Sequence, residues 1–241
     1  MKKLVVVALA IVAVSCNGII GNGFKISGEI AGLADGTKVF LEKQDEKTGM
    51  PVTIDTAKIE KGKFTFEGKA EEPKIHGVRV ENTNGGFAVI VEKGNIDVVA
   101  KKDSIGKAKI SGTYNNEEMT KYLNKLEVVQ KKMMAFQQKN MPIMQAAQQK
   151  QDTVLMNKLN KEYMGFQTEV MTVNDNYVTE SPKSFISVLL IQGMFGYPNA
   201  DFAKIKKLYD ALDSKIKETA PGKKVKKQLD DMEKAKKTAK K

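Results

Sequence analysis

The chain predicts an α+β protein, with an N-terminal antiparallel β-sandwich followed by an all-helical region of about five helices. The first observation is a period-two alternation of apolar residues between Phe24 and about Thr113, in short runs ended by Gly-containing turns. The second is a switch at Asn115-Asn116 to apolar residues three and four apart, the spacing that lays one stripe along a helix. The third is punctuation: Pro142, Ser181-Pro182 and Pro221-Gly222 divide the helical half into segments.

Phe24, Ile26 and Ile30 make the first run, which leads to Asp35-Gly36. Val39 and Leu41, then Val52 and Ile54, then Ile59 follow, and Lys61-Gly62 turns the chain into Phe64 and Phe66. After Pro73 come Ile75, Val78 and Val80, and after Asn84-Gly85-Gly86 come Phe87, Val89 and Val91. Lys93-Gly94-Asn95 leads into Ile96 and Val98, and Ala108 and Ile110 close the series. Alternation sends one side of each strand into a core and leaves the other to Lys, Glu and Thr.

In the helical half, Asn116 is the expected N-cap, with Glu117 and Glu118 in the first turn. Met119, Tyr122, Leu126, Val129, Met133 and Phe136 carry the first stripe, and Leu155, Leu159, Tyr163, Phe166, Val170, Val173 and Tyr177 the second. Pro142 lacks an amide donor and disfavours helix at Met141, so an interruption is expected there, between two long helices folded as a hairpin. Ser181-Pro182 starts a third helix, apolar nearly all round from Phe185 to Phe195 and therefore expected at the centre of the helical half. Asn199 or Asp201 caps a fourth, with Phe202, Ile205, Leu208, Leu212 and Ile216 on one face. Pro221-Gly222 separates a last basic helix bearing Val225, Leu229 and Met232.

The N-terminus carries an address. MKKLVVVALAIVAVSC opens with Lys2 and Lys3, runs apolar from Leu4 to Val14 and stops at Ser15 and the chain's single cysteine. That layout is a secretory signal, too short for a transmembrane span of roughly 20 apolar residues. Cys16 directly after the small residues resembles a bacterial lipoprotein signal, in which Cys16 is acylated; an ordinary signal peptide with an unmodified cysteine is the alternative. The expected organisation is a signal over residues 1–15, a lipidated cysteine and tether over 16–23, a β-sandwich over 24–114, a helical domain over 115–220 and a basic C-terminal helix over 221–241. Nine lysines against three acids from Lys223 to Lys241 supply much of the +11 net charge. A solvated helix face is the expected role of that tail, anionic lipid the alternative, and no nucleic-acid partner is expected of an exported protein.

Phe24-Lys25-Ile26-Ser27-Gly28-Glu29-Ile30, Leu33-Ala34-Asp35-Gly36-Thr37-Lys38-Val39-Phe40-Leu41 and Gly62-Lys63-Phe64-Thr65-Phe66-Glu67-Gly68 resemble one family. It is the N-terminal domain of unknown function on Bacteroidetes lipoproteins of the thioredoxin-like, thiol–disulfide oxidoreductase type. Ser181-Pro182-Lys183-Ser184-Phe185 and the Gly222-Lys223-Lys224-Val225 helix resemble the segment that follows in those proteins. The resemblance implies an envelope protein, lipid-anchored at Cys16 in the outer membrane and facing the periplasm. It would also imply a thioredoxin domain with Cys-x-x-Cys, but no position here matches that motif, so no catalytic residue carries over.

Candidate chemistry is sparse. A single cysteine excludes an intrachain disulfide, and one histidine, His76, excludes a His-based metal cluster or relay. Asp55, Glu60, Glu81, Glu92 and Asp97 are scattered over turns and strand faces. Nine of twelve methionines fall between Met119 and Met194, where core filling or an adaptable binding surface is expected ahead of Cu(I). No catalytic, cofactor or metal site is expected. The expectation is a membrane-tethered periplasmic lipoprotein acting as a non-catalytic binding module for a protein, peptide or glycan. The alternatives are an accessory to, or truncated relative of, a thioredoxin-like oxidoreductase, and a holdase-like chaperone.

Overall fold

A computed structural model describes residues 21–197 and 200–238. The expected signal over 1–15, the lipidation site Cys16, residues 17–20 of the tether, the alternative cap Asn199 and the terminal Lys240-Lys241 lie outside the described residues. Eight strands precede the long helices: β1 (Gly23–Ala31), β2 (Lys38–Gln44), β3 (Pro51–Lys58), β4 (Lys63–Lys69), β5 (Lys74–Val80), β6 (Gly86–Val91), β7 (Gly94–Lys101) and β8 (Lys109–Ser111), with a 3-10 segment at Lys102–Lys107. They form two four-stranded sheets, β4-β1-β7-β8 and β3-β2-β5-β6. Ile26 and Ile30 of β1, Phe64 and Phe66 of β4 and Ile96 and Val98 of β7 face Val39, Leu41, Val78, Val80 and Val89 across one buried core. Gly28 is required where it stands, because a Cβ there would lie 1.9 Å from Cε1 of Phe64, the residue opposite it on β4.

The sandwich is mixed rather than wholly antiparallel. Five strand pairs run antiparallel, but β1 and β7 pair in parallel, from Phe24 opposite Gly94 to Ala31 opposite Lys101. The chain leaves the first sheet after β1 and rejoins it beside β1 through crossovers in the second sheet, and alternation of side chains is the same for either direction. Two further positions depart from expectation. Val52 and Ile54 are 43% and 45% exposed on the edge strand β3, beside a register shift opposite Leu41/Glu42. Ile75 is out of phase with Val78 and Val80 and faces outward, and His76 takes the inward position.

Six α-helices follow among the described residues: α1 (Tyr114–Gln149), α2 (Thr153–Glu180), α3 (Phe185–Met194), α4 (Phe202–Ala211), the single turn α5 (Ser214–Lys217) and α6 (Ala220–Thr238). α1 runs through Pro142 without a break, so the turn of the hairpin falls at Lys150–Asp152 instead. A proline inside a helix removes one amide donor at a cost of about 3 kcal/mol. Here the flanking Met, Gln, Lys and Ala residues favour helix, and Phe136 packs edge-on against Phe166 at 5.5 Å to hold α1 to α2. Thr113, not Asn116, occupies the N-cap position. α3 is central, with Val188 and Ile191 fully buried, and Asp201 caps α4 by accepting from the amides of Ala203 and Lys204. Pro221 and Gly222 belong to the first turn of α6 rather than preceding it, since proline is tolerated where the amide has no helical partner. Val225 and Leu229 tie that helix into the same core cluster as the sandwich.

Candidate functional site

β6 and β8 are edge strands, one in each sheet, and an open edge exposes unpaired amides and carbonyls. The start of α1 closes both. The carboxamide of Asn116, fully buried, accepts from the Ile90 amide at 2.9 Å and donates to the Ile90 carbonyl at 2.7 Å, standing in for a neighbouring strand. Four residues on, the Thr120 hydroxyl lies 3.2 Å from the Ile110 carbonyl of β8. Asn115 donates from its amide and side chain to the Glu92 carboxylate and accepts from the Phe185 amide at 2.8 Å, joining the β6–β7 turn to the start of α3. Glu118, 5% exposed, takes Lys121 Nζ at 2.7 Å and the Tyr177 hydroxyl at 3.0 Å, and that hydroxyl lies 2.9 Å from Ser184 Oγ. Burial pushes the Glu118 carboxyl up, but the hydrogen bonds from Lys121, Ser181 and Tyr177 outweigh it and hold it below the ordinary range. Burial raises the Tyr177 phenol, and it raises that of Tyr122 to about 12. Ser184 Oγ is buried and accepts from the Ile186 amide as the cap of α3, so this cluster is a satisfied joint.

His76 lines an open depression of about 560 Å³ on the β2-β5-β6 sheet, together with Glu42, Ile75, Arg79 and Phe87. Its Nδ1 lies 3.1 Å from the Lys74 carbonyl, and burial lowers its pKa below 6.5, assisted by the charges of Lys74 and Lys43. Arg79 is already engaged, pairing with Glu42 at 2.8 Å and stacking over Phe40 at 4.1 Å. Three of the carboxylates singled out in the sequence have structural partners. Glu92 holds Asn115, Glu81 pairs with Lys38, and Asp55 bonds the amide of Thr56. No group of three or more His, Cys, Asp or Glu side chains suited to a metal occurs among the described residues.

The methionines gather on the hairpin of α1 and α2. α1 is roughly 54 Å long at about 1.5 Å per residue. Its buried Val129 and Ala147, with Leu159 of α2, lie outside the core cluster that unites the sandwich with α3 to α6. The hairpin is thus an arm with its own thin seam. At 3.6 residues per turn Leu123, Met134 and Met141 fall on one line, and they are 51%, 60% and 58% exposed. Exposed Gln130, Gln137 and Met144 stand beside them, as does Glu127, which pairs with Lys131 at 2.9 Å. Lys125, Val128, Lys132, Lys139, Ile143 and Lys150 fall on a second line, roughly opposite the first. The start of that second line and the Gly165–Thr168–Thr172–Asn176 stripe of α2 border a groove of about 530 Å³.

The sequence pointed to methionine-rich helices but not to the polar joint, because Asn115, Asn116 and Glu118 read as capping chemistry. Three polar residues beside Met119, each at a position a buried stripe would use, are the one signal that marks them. No helix among the described residues is long and apolar enough to cross a membrane. The chain matches none of the curated proteins. Residues 24–119, which span β1 to β8 and the start of α1 past Asn116, match the family described as a domain of unknown function (DUF4369).

Proposed function

We propose that this protein is a lipid-anchored, non-catalytic binding module of the cell envelope, tethered at Cys16 and presenting the α1–α2 arm to a polypeptide partner. The observation that carries this reading is the apolar line of Leu123, Met134 and Met141, crossed near the root only by the Glu127–Lys131 pair and exposed on an arm whose seam is separate from the main core. Methionine is flexible and polarizable, so such a face adapts to varied apolar partners. The sandwich and helices α3 to α6 then act as a rigid base, locked to the root of the arm by Asn115, Asn116 and Glu118.

Two measurements test this. A Cys16→Ala protein is washed from membranes by molar salt that leaves the wild type in place, and a variant retained through that wash refutes the anchor. A photo-crosslinking residue at Met134 in intact envelopes yields one adduct of discrete mass, lost when Met141→Lys charges the same face. The same crosslinker at the exposed Ile75 of β5 yields none. Adducts of equal yield from both positions, or from neither, overturn the assignment of the arm.

A further inference from the structure

The opposite side of the arm differs in chemistry. On that side Lys132 and Lys139 of α1, Lys150 at its C-cap, and Lys158 and Lys161 of α2 stand against Asp152 and Glu162 beyond the Lys132–Glu169 pair. Asp152 is occupied as the cap of α2, accepting from the Leu155 amide at 3.0 Å. Nearer the root, Lys125 pairs with Glu180 and Lys132 with Glu169 across the groove. Farther out, exposed Lys139, Lys150, Lys158 and Lys161 make no ion pair among the described residues. On α2, Val154, Lys158 and Lys161 continue the line of Gly165, Thr168 and Thr172 that borders the groove, so both helices send lysines to one side. Val154 is 80% exposed and Ile143 40% exposed among these cations.

We propose that this outer, lysine-bearing side of the arm is a docking surface for an anionic lipid bilayer. Lysines attract anionic headgroups and bury their aliphatic stems while the ammonium stays in the headgroup layer, and apolar side chains between them enter the acyl boundary. A cationic side spread over two parallel rods and studded with Val154 and Ile143 matches a flat anionic plane with an apolar layer beneath it. The methionine-bearing face on the other side, whose Glu127 and Lys131 pair with each other, stays free for the polypeptide partner. This docking needs no acylation of Cys16, so it stands or falls apart from the proposed anchor.

The test places an environment-sensitive fluorophore on Val154→Cys in a full-length Cys16→Ser chain and mixes it with vesicles. Phosphatidylcholine vesicles containing phosphatidylglycerol shift its emission to the blue, and pure phosphatidylcholine vesicles do not. Molar salt reverses the shift, and Lys139→Gln, Lys150→Gln, Lys158→Gln and Lys161→Gln together weaken partition at least tenfold, with a circular dichroism spectrum unchanged from the parent. The same label on Met134→Cys stays water-exposed. Equal emission with the two vesicle types overturns the proposal. So does a shift that grows with protein concentration without lipid, which assigns the surface to a second copy. A poly-glutamate chain producing the vesicle response in full assigns it to an acidic polypeptide instead.

Discussion

Asn116 does the work of a missing strand. Its carboxamide satisfies both the amide and the carbonyl of Ile90, and it also donates to Thr113 Oγ1 at 2.8 Å. Asn116→Ala leaves two buried backbone groups unpaired and is expected to destabilise the protein by about 2–4 kcal/mol, read from urea denaturation. Asn116→Asp keeps the acceptor but loses the donor and sets a carboxylate against a carbonyl, so it should cost at least as much; a neutral Asp variant would discredit the edge-sealing role. Glu118 adds a pH dependence. Its folded pKa lies below the ordinary 4.5, so its stabilisation is complete above that pH and is lost as pH falls through the folded value. Glu118→Gln should therefore lower the melting temperature at pH 7 and narrow the gap from wild type below pH 4. His76 behaves with the same sign, since burial lowers it from 6.5 and favours the neutral ring. Its contribution is present above pH 6.5 and fades below, and a folded-state NMR titration should find a midpoint under 6.5; a midpoint above it would contradict the burial of the ring.

The long helix α1 tests how far propensity reaches. A helix that continues through Pro142 leaves the Gln138 carbonyl without its amide partner, and the seam nearby rests on Asn140, Ala147 and the Phe136–Phe166 contact. Pro142→Ala restores the bond and is expected to slow amide exchange in the outer arm severalfold while leaving the sandwich amides unchanged. Faster exchange after the change would mean that the proline fits a bend the arm needs. The strands were legible because Ile26, Ile30, Phe64, Phe66, Ile96 and Val98 alternate cleanly, and alternation follows from the pleat alone. Strand partners were not legible in that pattern. The parallel β1–β7 pair depends on where the chain crosses between sheets, and no local spacing encodes it. The stripe of α1 predicted a helix, while Pro142 suggested a break because a local cost was weighed without the opposing α2. The methionine cluster was visible as a count, but the separation of a methionine-bearing side from a lysine-bearing one appears only once both helices are set side by side.

At the scale of the molecule, sandwich and helices share one core. Met119, Tyr177, Phe185 and Ile191 belong to the same buried cluster as Ile26 and Val89, and Ala220 donates its amide to Glu72 at 2.8 Å. The match to a family domain runs to Met119, past the last strand and past Asn116, which agrees with a sandwich whose β6 edge needs the start of α1. A fragment ending at Thr113 leaves β6 and β8 open and should aggregate or stay unfolded. Extending it to Tyr122 supplies Asn116 and Thr120 but leaves Glu118 without Tyr177, so it gains the edge bonds while exposing a carboxylate meant for a buried joint. The full chain should therefore melt in one transition, with the near-ultraviolet signal of Tyr122, Tyr177 and Tyr209 coinciding with loss of sheet and helix in the far ultraviolet. Two separated transitions, or a well-dispersed NMR spectrum from the fragment ending at Thr113, would show instead that the sandwich stands alone and that the buried joint is an interface between independent domains. A single transition makes the joint the element through which any load on the arm reaches the sandwich, because no buried side chain of the outer arm contributes to the common core.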